Sequence, residues 1–188
     1  MKTTTVLLAF VGSAIAAPRL FQRQNACFVI GSETLPGEIA DIVTSLTNTV
    51  TCDTSQTTIE GVPDVSSASV TFSSINFAES GQTPLAFALD QFATTSPLAD
   101  NDLQKFQDQL NVYLATEAGI RSVGGNLAIK VPKFFIQFQM TRIQQAQGIV
   151  SDVPGMNVEH QLGKVVKNAA GEDQALIDQV NDLAVTLQ

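Results

Sequence analysis

Residues 101–125 of the chain read NDLQKFQDQLNVYLATEAGIRSVGG, and this stretch decides the fold. Its apolar side chains recur at intervals of three and four residues, which is the period of an α-helix with one buried face. Asp100 is the predicted N-cap, and Gly124 with Gly125 ends the helix near residue 121. The positions predicted to point inward are Leu103, Phe106, Leu110, Tyr113, Leu114 and Ile120.

A second core helix is predicted over residues 132–147, beginning at Pro132 and ended by Gly148. Its apolar positions cover so wide an arc that other elements must surround it almost completely. A brief apolar alternation over residues 127–131 precedes it and is typical of an extended segment. The apolar side chains of the helix are Phe134, Phe135, Ile136, Phe138, Met140 and Ile143.

Capping signals predict three more helices around this pair. Thr83 followed by Pro84 marks the start of one helix, which ends before Pro97. Residues 157–169 and 172–187 form the other two. Five consecutive helices therefore make a bundle that is the larger part of the protein.

The residues upstream of the bundle predict a small antiparallel sheet. Short runs at residues 27–30, 70–72 and 75–77 are typical of strands, although residues 53–82 also suit an ordered loop. The helical period over about residues 36–50 predicts one helix beside them. The predicted fold class is α+β, with a small N-terminal antiparallel sheet and one disulfide-tied helix, followed by a larger bundle of about five helices.

Cys27 and Cys52 are the two cysteines of the chain. In an exported protein two cysteines pair by default, and closing this loop stabilises the fold by about 3 kcal/mol in the chain-entropy model. Two thiols and the single His160 are too few to hold a structural metal ion, so neither a metal nor another cofactor is expected.

The N-terminus has the pattern of a secretory signal peptide. Lys2 is followed by an uncharged apolar run from Val6 to Ala16, which is too short to cross a membrane. Small side chains near the end of the run favour cleavage after Ala16, so that residues 1–16 are the signal peptide. The expected location of the mature protein is extracellular, without a membrane span.

Residues 17–23 are either a pro-segment trimmed after Arg23 or a disordered tail, and residues 24–188 are predicted to form a single globular domain. The full chain has 18 acidic and 10 basic residues, and removing the three basic residues of the N-terminal segments leaves a net charge of about −11. Such a charge repels phosphate backbones and anionic membrane surfaces. Nucleic acid is therefore not expected as a partner.

Charged residues on the inward faces of the two core helices form a candidate ligand-binding site. Glu117 falls in the middle of the apolar arc of the first core helix, and Arg121 lies one turn further along it. Arg142 projects between two phenylalanines of the second. An unpaired buried charge costs several kcal/mol, so Glu117 is predicted to pair with Arg142, Arg121 or both. Tyr113, inward on the first helix, completes this candidate set.

Two interpretations of these residues stay open. In one, they form the floor of a polar pocket in which Arg142 binds an anion and Glu117 acts as a base. In the other, they are an ion pair that fixes how two helices dock. An adjacent arginine lowers the pKa of a carboxylate, which suits a permanent salt bridge better than proton transfer near neutral pH, so the structural pair is preferred.

A basic stripe of His160, Lys164 and Lys167 lies at i, i+4 and i+7 on the predicted 157–169 helix. Residues 121–170 contain all but one of the basic groups of the predicted mature chain. This split marks either a landing surface for an acidic partner or an internal charge balance against the acidic helices, of which the second is preferred.

Patterns of known catalytic chemistry are weak in this sequence. The lone His160 lies on the solvent face of its helix and no Gly-x-Ser-x-Gly sequence is present, so no catalytic residue is predicted. Glycosidases need two carboxylates at one cleft, and sugar-binding grooves usually stack rings on Trp or Tyr. With no Trp and one Tyr, a polysaccharide enzyme is disfavoured.

Several segments resemble small secreted proteins of filamentous fungi that have no assigned activity. The similarity extends from Cys27 to about Gly171, and it implies a fungal origin and an extracellular location. It transfers no functional residue to this chain. The similar segments are ACFVIGS, TCDTS, GVPDV, VTFSSINF, NVYLATEAGIRSVGG, VPKFF and VEHQLGKVVKNAAG.

The sequence thus favours a secreted, non-enzymatic binding or effector-like protein of a filamentous fungus that acts at the cell surface or host interface. Its partner would be an unknown protein. One alternative is an extracellular carrier of a small apolar ligand, held in a bundle cavity lined by the phenylalanines of the 132–147 helix. The other alternative is a hydrolase of unrecognised type.

Overall fold

Helices and strands account for most of residues 26–187, the part of the chain that the structure, a computed structural model, describes. The predicted signal peptide and pro-segment, residues 1–16 and 17–23, lie outside the described residues. In chain order the elements are α1 (Gly37–Leu46), β1 (Thr51–Thr57), β2 (Pro63–Ser67), β3 (Val70–Thr71), α2 (Pro84–Gln91), α3 (Leu103–Ser122), α4 (Lys130–Ala146), α5 (Val158–Asn168) and α6 (Gln174–Val185).

The predicted α+β class is confirmed. The three strands form an antiparallel sheet in the order β1-β2-β3, one helix precedes it, and five helices follow it. The predicted disulfide between Cys27 and Cys52 is present and ties the segment before α1 to β1. Because Cys52 lies opposite Val65 in the sheet, the same bond also fixes that segment to the paired strands.

The strands lie mostly outside the runs that were predicted to form them. Residues 27–30 form a turn and an irregular segment, and residues 75–77 belong to 3₁₀ turns; only the 70–72 prediction overlaps a strand. β1 is polar and almost wholly exposed, so it lacks the apolar alternation that identifies strands in a sequence. β2 begins with Pro63, a residue tolerated at the first position of a strand but depleted elsewhere in sheets.

Several helix boundaries differ from the prediction: α1 and α2 end about four and five residues earlier, and both core helices start at other residues than predicted. Asp102, not Asp100, caps α3, and its carboxylate accepts two backbone N–H groups at 2.9 and 3.3 Å. Asp100 lies in a 3₁₀ turn just before it. The 127–131 alternation is helical rather than extended, because a 3₁₀ turn leads directly into α4 at Lys130. Pro132 is therefore the third residue of α4, where the N–H that it lacks would have no partner in the helix.

Helix α3 lies at the centre of the molecule. Thirteen of its 20 residues are buried, and they occupy every side of the helix. It packs against α1, β2, β3 and α4, and the buried apolar side chains around it form one continuous cluster. Polar groups on α3 must consequently find their partners inside the protein.

The N-terminal segment docks on the last turn of α3 by close backbone contact. The Oγ of Ser122 accepts the N–H groups of Ile30 and Gly31 at 3.1 and 2.9 Å, and it donates to the carbonyl of Gly119 at 2.6 Å. A Cβ at Gly119 would lie 2.5 Å from the carbonyl oxygen of Phe28. Only glycine fits where these two backbone segments cross.

We expect Gly119→Ala to destabilise the protein by about 1–3 kcal/mol, because the added methyl group overpacks a contact between backbones. The matched control is Gly163→Ala in α5, where a Cβ meets nothing within 4 Å. That variant should be neutral or more stable by up to about 1 kcal/mol. Urea unfolding followed by circular dichroism measures both, and equal stability of the two variants would contradict the close crossing.

Candidate functional site

Glu117 is completely buried on α3 and binds two cations. Its Oε1 accepts hydrogen bonds from Nε and Nη2 of Arg121, both at 2.8 Å. Its Oε2 accepts a bond from Nζ of Lys133 at 2.5 Å. Arg121 lies one turn further along α3, whereas Lys133 lies in the first turn of α4. The carboxylate therefore joins the two core helices.

The predicted pairing of Glu117 with Arg121 is confirmed, and its pairing with Arg142 is wrong. Lys133, which sequence reasoning missed, takes that place. The position of each residue along its helix explains the difference. Glu117 lies about 7.5 Å before the end of α3, and Lys133 and Arg142 lie about 4.5 and 18 Å after the start of α4. Residues 123–129 join the two helices, so positions at similar distances from this connection lie side by side. Lys133 meets that condition for Glu117, and Arg142 does not.

The cluster of Glu117, Arg121 and Lys133 holds one more positive than negative charge. Burial lowers the pKa of Lys133; the Glu117 carboxylate opposes this shift, and the cations of Arg121 and Lys130 add to it. The ammonium group also lies 4.1 Å from the centroid of the Phe134 ring, at cation–π distance. Both the carboxylate and the ring favour the charged form of this desolvated lysine.

Arg142 binds the end of α6. Its Nε donates to the carbonyl of Leu183 at 2.8 Å, and its Nη2 donates to the carbonyl of Thr186 at 2.7 Å. Its Nη1 donates to Thr94 Oγ1 and to Gln139 Oε1 at 3.3 and 2.5 Å. Burial lowers the pKa of Arg142. The carbonyl groups at the end of a helix lack partners within it and attract cations, so Arg142 serves as a clamp between α4 and α6.

Tyr113 is buried, as its inward position predicted. Its hydroxyl donates to the carbonyl of Ile75 at 2.7 Å, and its ring makes edge contacts with Phe72 and Phe92 at centroid distances of 5.4 and 5.6 Å. Burial raises the pKa of Tyr113. The phenol therefore packs the segment after the sheet against α3.

The basic stripe of His160, Lys164 and Lys167 is exposed on α5. In residues 26–187 the salt bridges within 4.0 Å are the two on Glu117, so no carboxylate there pairs with Lys164 or Lys167. A shallow surface depression of about 510 Å³ is lined by the stripe together with Asn157, Glu159 and Gly163.

A second depression, of about 360 Å³, lies between the start of α2 and residues of α4 and α5. At its edge, Oε1 of Glu172 accepts the N–H of Leu85 at 3.0 Å, so the chain's own carboxylate binds the N-terminal turn of α2. Neither depression is lined by a phenylalanine of α4. Two of these phenylalanines, Phe135 and Phe138, are fully buried in the common core.

Within the described residues, no group of three or more His, Cys, Asp and Glu side chains could hold a metal ion. None of the helices in this part of the chain has the length and apolar character of a membrane-spanning segment.

Comparisons with known proteins identify a family. The model of a domain of unknown function, DUF7143, matches residues 29–188. The chain belongs to the DUF7143 family. No curated protein and no solved structure matched it. The resemblance to an uncharacterised family is thus confirmed, and the fungal origin that it implied stays a prediction. The match contains every helix and strand of the DUF7143 domain, including the residues of the Glu117 cluster and the basic stripe.

We expect Glu117→Gln to destabilise the DUF7143 domain by about 3–5 kcal/mol, because it leaves the buried Lys133 without its carboxylate. The double variant with Lys133→Met should cost clearly less than the sum of the two single variants. A second cycle, Glu117→Gln with Arg142→Met, is the control and should be additive within about 0.5 kcal/mol, since the two residues share no partner. Urea denaturation measures all six proteins, and additivity in the first cycle would rule out the ion pair.

We expect Arg142→Met to speed amide hydrogen exchange in residues 183–187, because the carbonyl groups of Leu183 and Thr186 lose their hydrogen bonds to the guanidinium. The overall loss of stability should be about 2–4 kcal/mol for these charge-assisted bonds. Arg142→Lys should restore only part of it, since an ammonium group does not have the fork geometry of a guanidinium. Hydrogen exchange with mass spectrometry measures the rates in residues 183–187, and unchanged rates there would show that Arg142 does not clamp α6 to α4.

Proposed function

We propose that this protein is exported and acts outside the cell by binding a partner, without catalysing a reaction. Three observations support export. The N-terminal sequence has a signal-peptide pattern, the Cys27–Cys52 disulfide is typical of oxidising compartments, and several segments resemble small secreted fungal proteins. In its most specific form the proposal is an effector-like protein of a filamentous fungus that acts at the cell surface or host interface.

The binding function depends on which charged side chains already have partners. Glu117, Arg121 and Lys133 bind one another, and Arg142 binds four neutral oxygens of the chain. Lys164 and Lys167 are exposed and have no carboxylate within 4.0 Å among the described residues. Lys105 and Lys130 also lack a carboxylate partner in this part of the chain, but they lie singly on α3 and α4, whereas Lys164 and Lys167 are neighbours on one face of α5. This pair of adjacent free cations is the single observation that carries the proposal.

The two alternatives lack a comparable observation. A carrier would need a cavity beside the phenylalanines of α4, but Phe135 and Phe138 are in the packed core and neither depression reaches them. A hydrolase would need an accessible acid, base or nucleophile. Glu117, the candidate base, has both its oxygens bound to cations and no exposed surface.

Expression of the full chain in a filamentous fungus should deliver the protein to the culture medium. Mass spectrometry of the secreted form should place its first residue at Ala17 or Gln24, according to whether the pro-segment is removed. A variant lacking residues 2–16 is the control and should stay inside the cell. Retention of the full chain inside the cell would contradict export.

The same secreted protein should show no turnover that copurifies with it when tested against panels of hydrolase and oxidase substrates. An activity that follows the protein through two different columns would contradict a non-enzymatic function.

A further inference from the structure

The connection between α4 and α5 exposes a cluster of aliphatic side chains. Ile149, Val150 and Val153 are 49%, 87% and 61% exposed. They make up half of the six large hydrophobic side chains that are exposed among the described residues, and they lie within five consecutive positions. Single exposed aliphatic residues need no explanation, but a cluster of them is typical of an interaction surface.

This loop is held in place and adjoins the basic stripe. The N–H of Ile149 donates to the carbonyl of Gln144 at 2.8 Å, which fixes the start of the loop on α4. At its other end, the carbonyl of Gly155 accepts a bond from Gln161 Nε2 at 2.8 Å. Gly155 also lies against the His160 ring, since a Cβ there would be 3.2 Å from Nε2 of that histidine. Gly155, two residues after Val153, thus places the end of the loop that carries the aliphatic cluster beside the basic stripe.

The three side chains of the stripe are regularly spaced along α5. His160 and Lys164 are separated by about 6 Å along the helix axis, and Lys164 and Lys167 by about 4.5 Å. The ammonium group of Lys164 lies 5.8 Å from the ring of Phe134, which packs beside it from α4. Acidic side chains three or four residues apart on a facing helix have the same spacing.

We infer that the aliphatic cluster and the basic stripe together bind an acidic protein segment that carries aliphatic side chains. This inference rests on the proposed binding function and names the class of partner. The segment would place carboxylates on the exposed cations and apolar side chains on Ile149, Val150 and Val153. Both halves of the surface would then be covered by a single partner.

Other occupants fit the surface less well. A purely anionic polymer offers nothing to the aliphatic cluster. A lipid bilayer would have to take up Asp152, which lies between Val150 and Val153, and an aspartate within the hydrocarbon layer is costly. A second copy could offer Asp178 and Asp182 of α6, but each copy carries a net charge of about −11 after removal of the predicted N-terminal segments, which opposes self-association. A short segment carries far fewer charges.

Fluorescence anisotropy with a synthetic peptide of about 20 residues, a length at which helix formation becomes measurable, tests the inference. The peptide carries Glu at helical i, i+4 and i+7 positions and Leu beside them. Three matched peptides replace Glu by Gln, Glu by Lys, or Leu by Ala. Polyglutamate and vesicles of phosphatidylcholine with phosphatidylserine represent the other occupants, and sedimentation of the protein alone measures self-association.

The Glu/Leu peptide should bind most tightly, and Lys164→Glu/Lys167→Glu should weaken its binding about tenfold or more. Val150→Ser/Val153→Ser should weaken it about threefold to tenfold. Lys105→Glu and Val185→Ser are the controls, because both side chains are exposed on other helices, and they should leave binding unchanged. Thermal unfolding should show that all four variants are folded.

The outcomes separate the inference from the proposed function. If only the lysine variant weakens binding, or if polyglutamate binds equally well, the stripe binds acidic partners but the composite surface is wrong. If neither variant changes binding, both proposals about this surface fail. Absence of peptide binding, Val150-dependent binding to vesicles, or self-association abolished by Lys164→Glu/Lys167→Glu would each overturn the acidic segment as occupant.

Discussion

The burial of α3 on all of its sides is the constraint to which the rest of the structure conforms. At Glu117 the helix offers no solvated face, so this carboxylate must be neutralised by groups inside the protein. Arg121 comes from the same helix, but Lys133 comes from α4. The attraction between charges offsets their desolvation only when the geometry is good, so we expect the pair to contribute more to the choice of one docking arrangement of α3 and α4 than to net stability.

The helices could be predicted from the sequence because their apolar periods reflect how they pack. α3 stood out by its apolar face and α4 by its wide apolar arc, and Thr83 marked the start of α2 correctly, its side chain accepting the N–H of Ala86. The strands could not be predicted in the same way. β1 is exposed, so its side chains do not alternate between apolar and polar. Residues 27–30 look like a strand because they are apolar, but Phe28 fills the core from an irregular segment.

The candidate site could be predicted only as far as a single helix allows. A helical wheel shows that Glu117 faces inward and that Arg121 lies beside it, and both statements are confirmed. The partner on α4 depends on how far each residue lies from the connecting turn, which a wheel ignores. Counting residues from that turn would have favoured Lys133 over Arg142. The partners of Arg142 at the end of α6 could not be predicted from the sequence, because they are backbone carbonyl groups, which every residue has.

The basic residues between 121 and 170 divide into two groups in the folded chain, those with partners inside the protein and those exposed to solvent. Of the six basic residues between 121 and 170, Arg121, Lys133 and Arg142 have internal partners. Those partners are one carboxylate and several neutral oxygens. The preferred interpretation of the basic region, a charge balance against the acidic helices, stays a prediction. Most carboxylates of the chain are solvated, and so are Lys164 and Lys167. An exposed cation without a carboxylate partner can be replaced at little cost to stability, because surface substitutions usually change the stability by no more than about 0.5 kcal/mol. The side chains of the stripe on α5 are exposed and need no partner inside the protein, unlike the charged residues of α3. They can therefore bind a partner without disturbing the core.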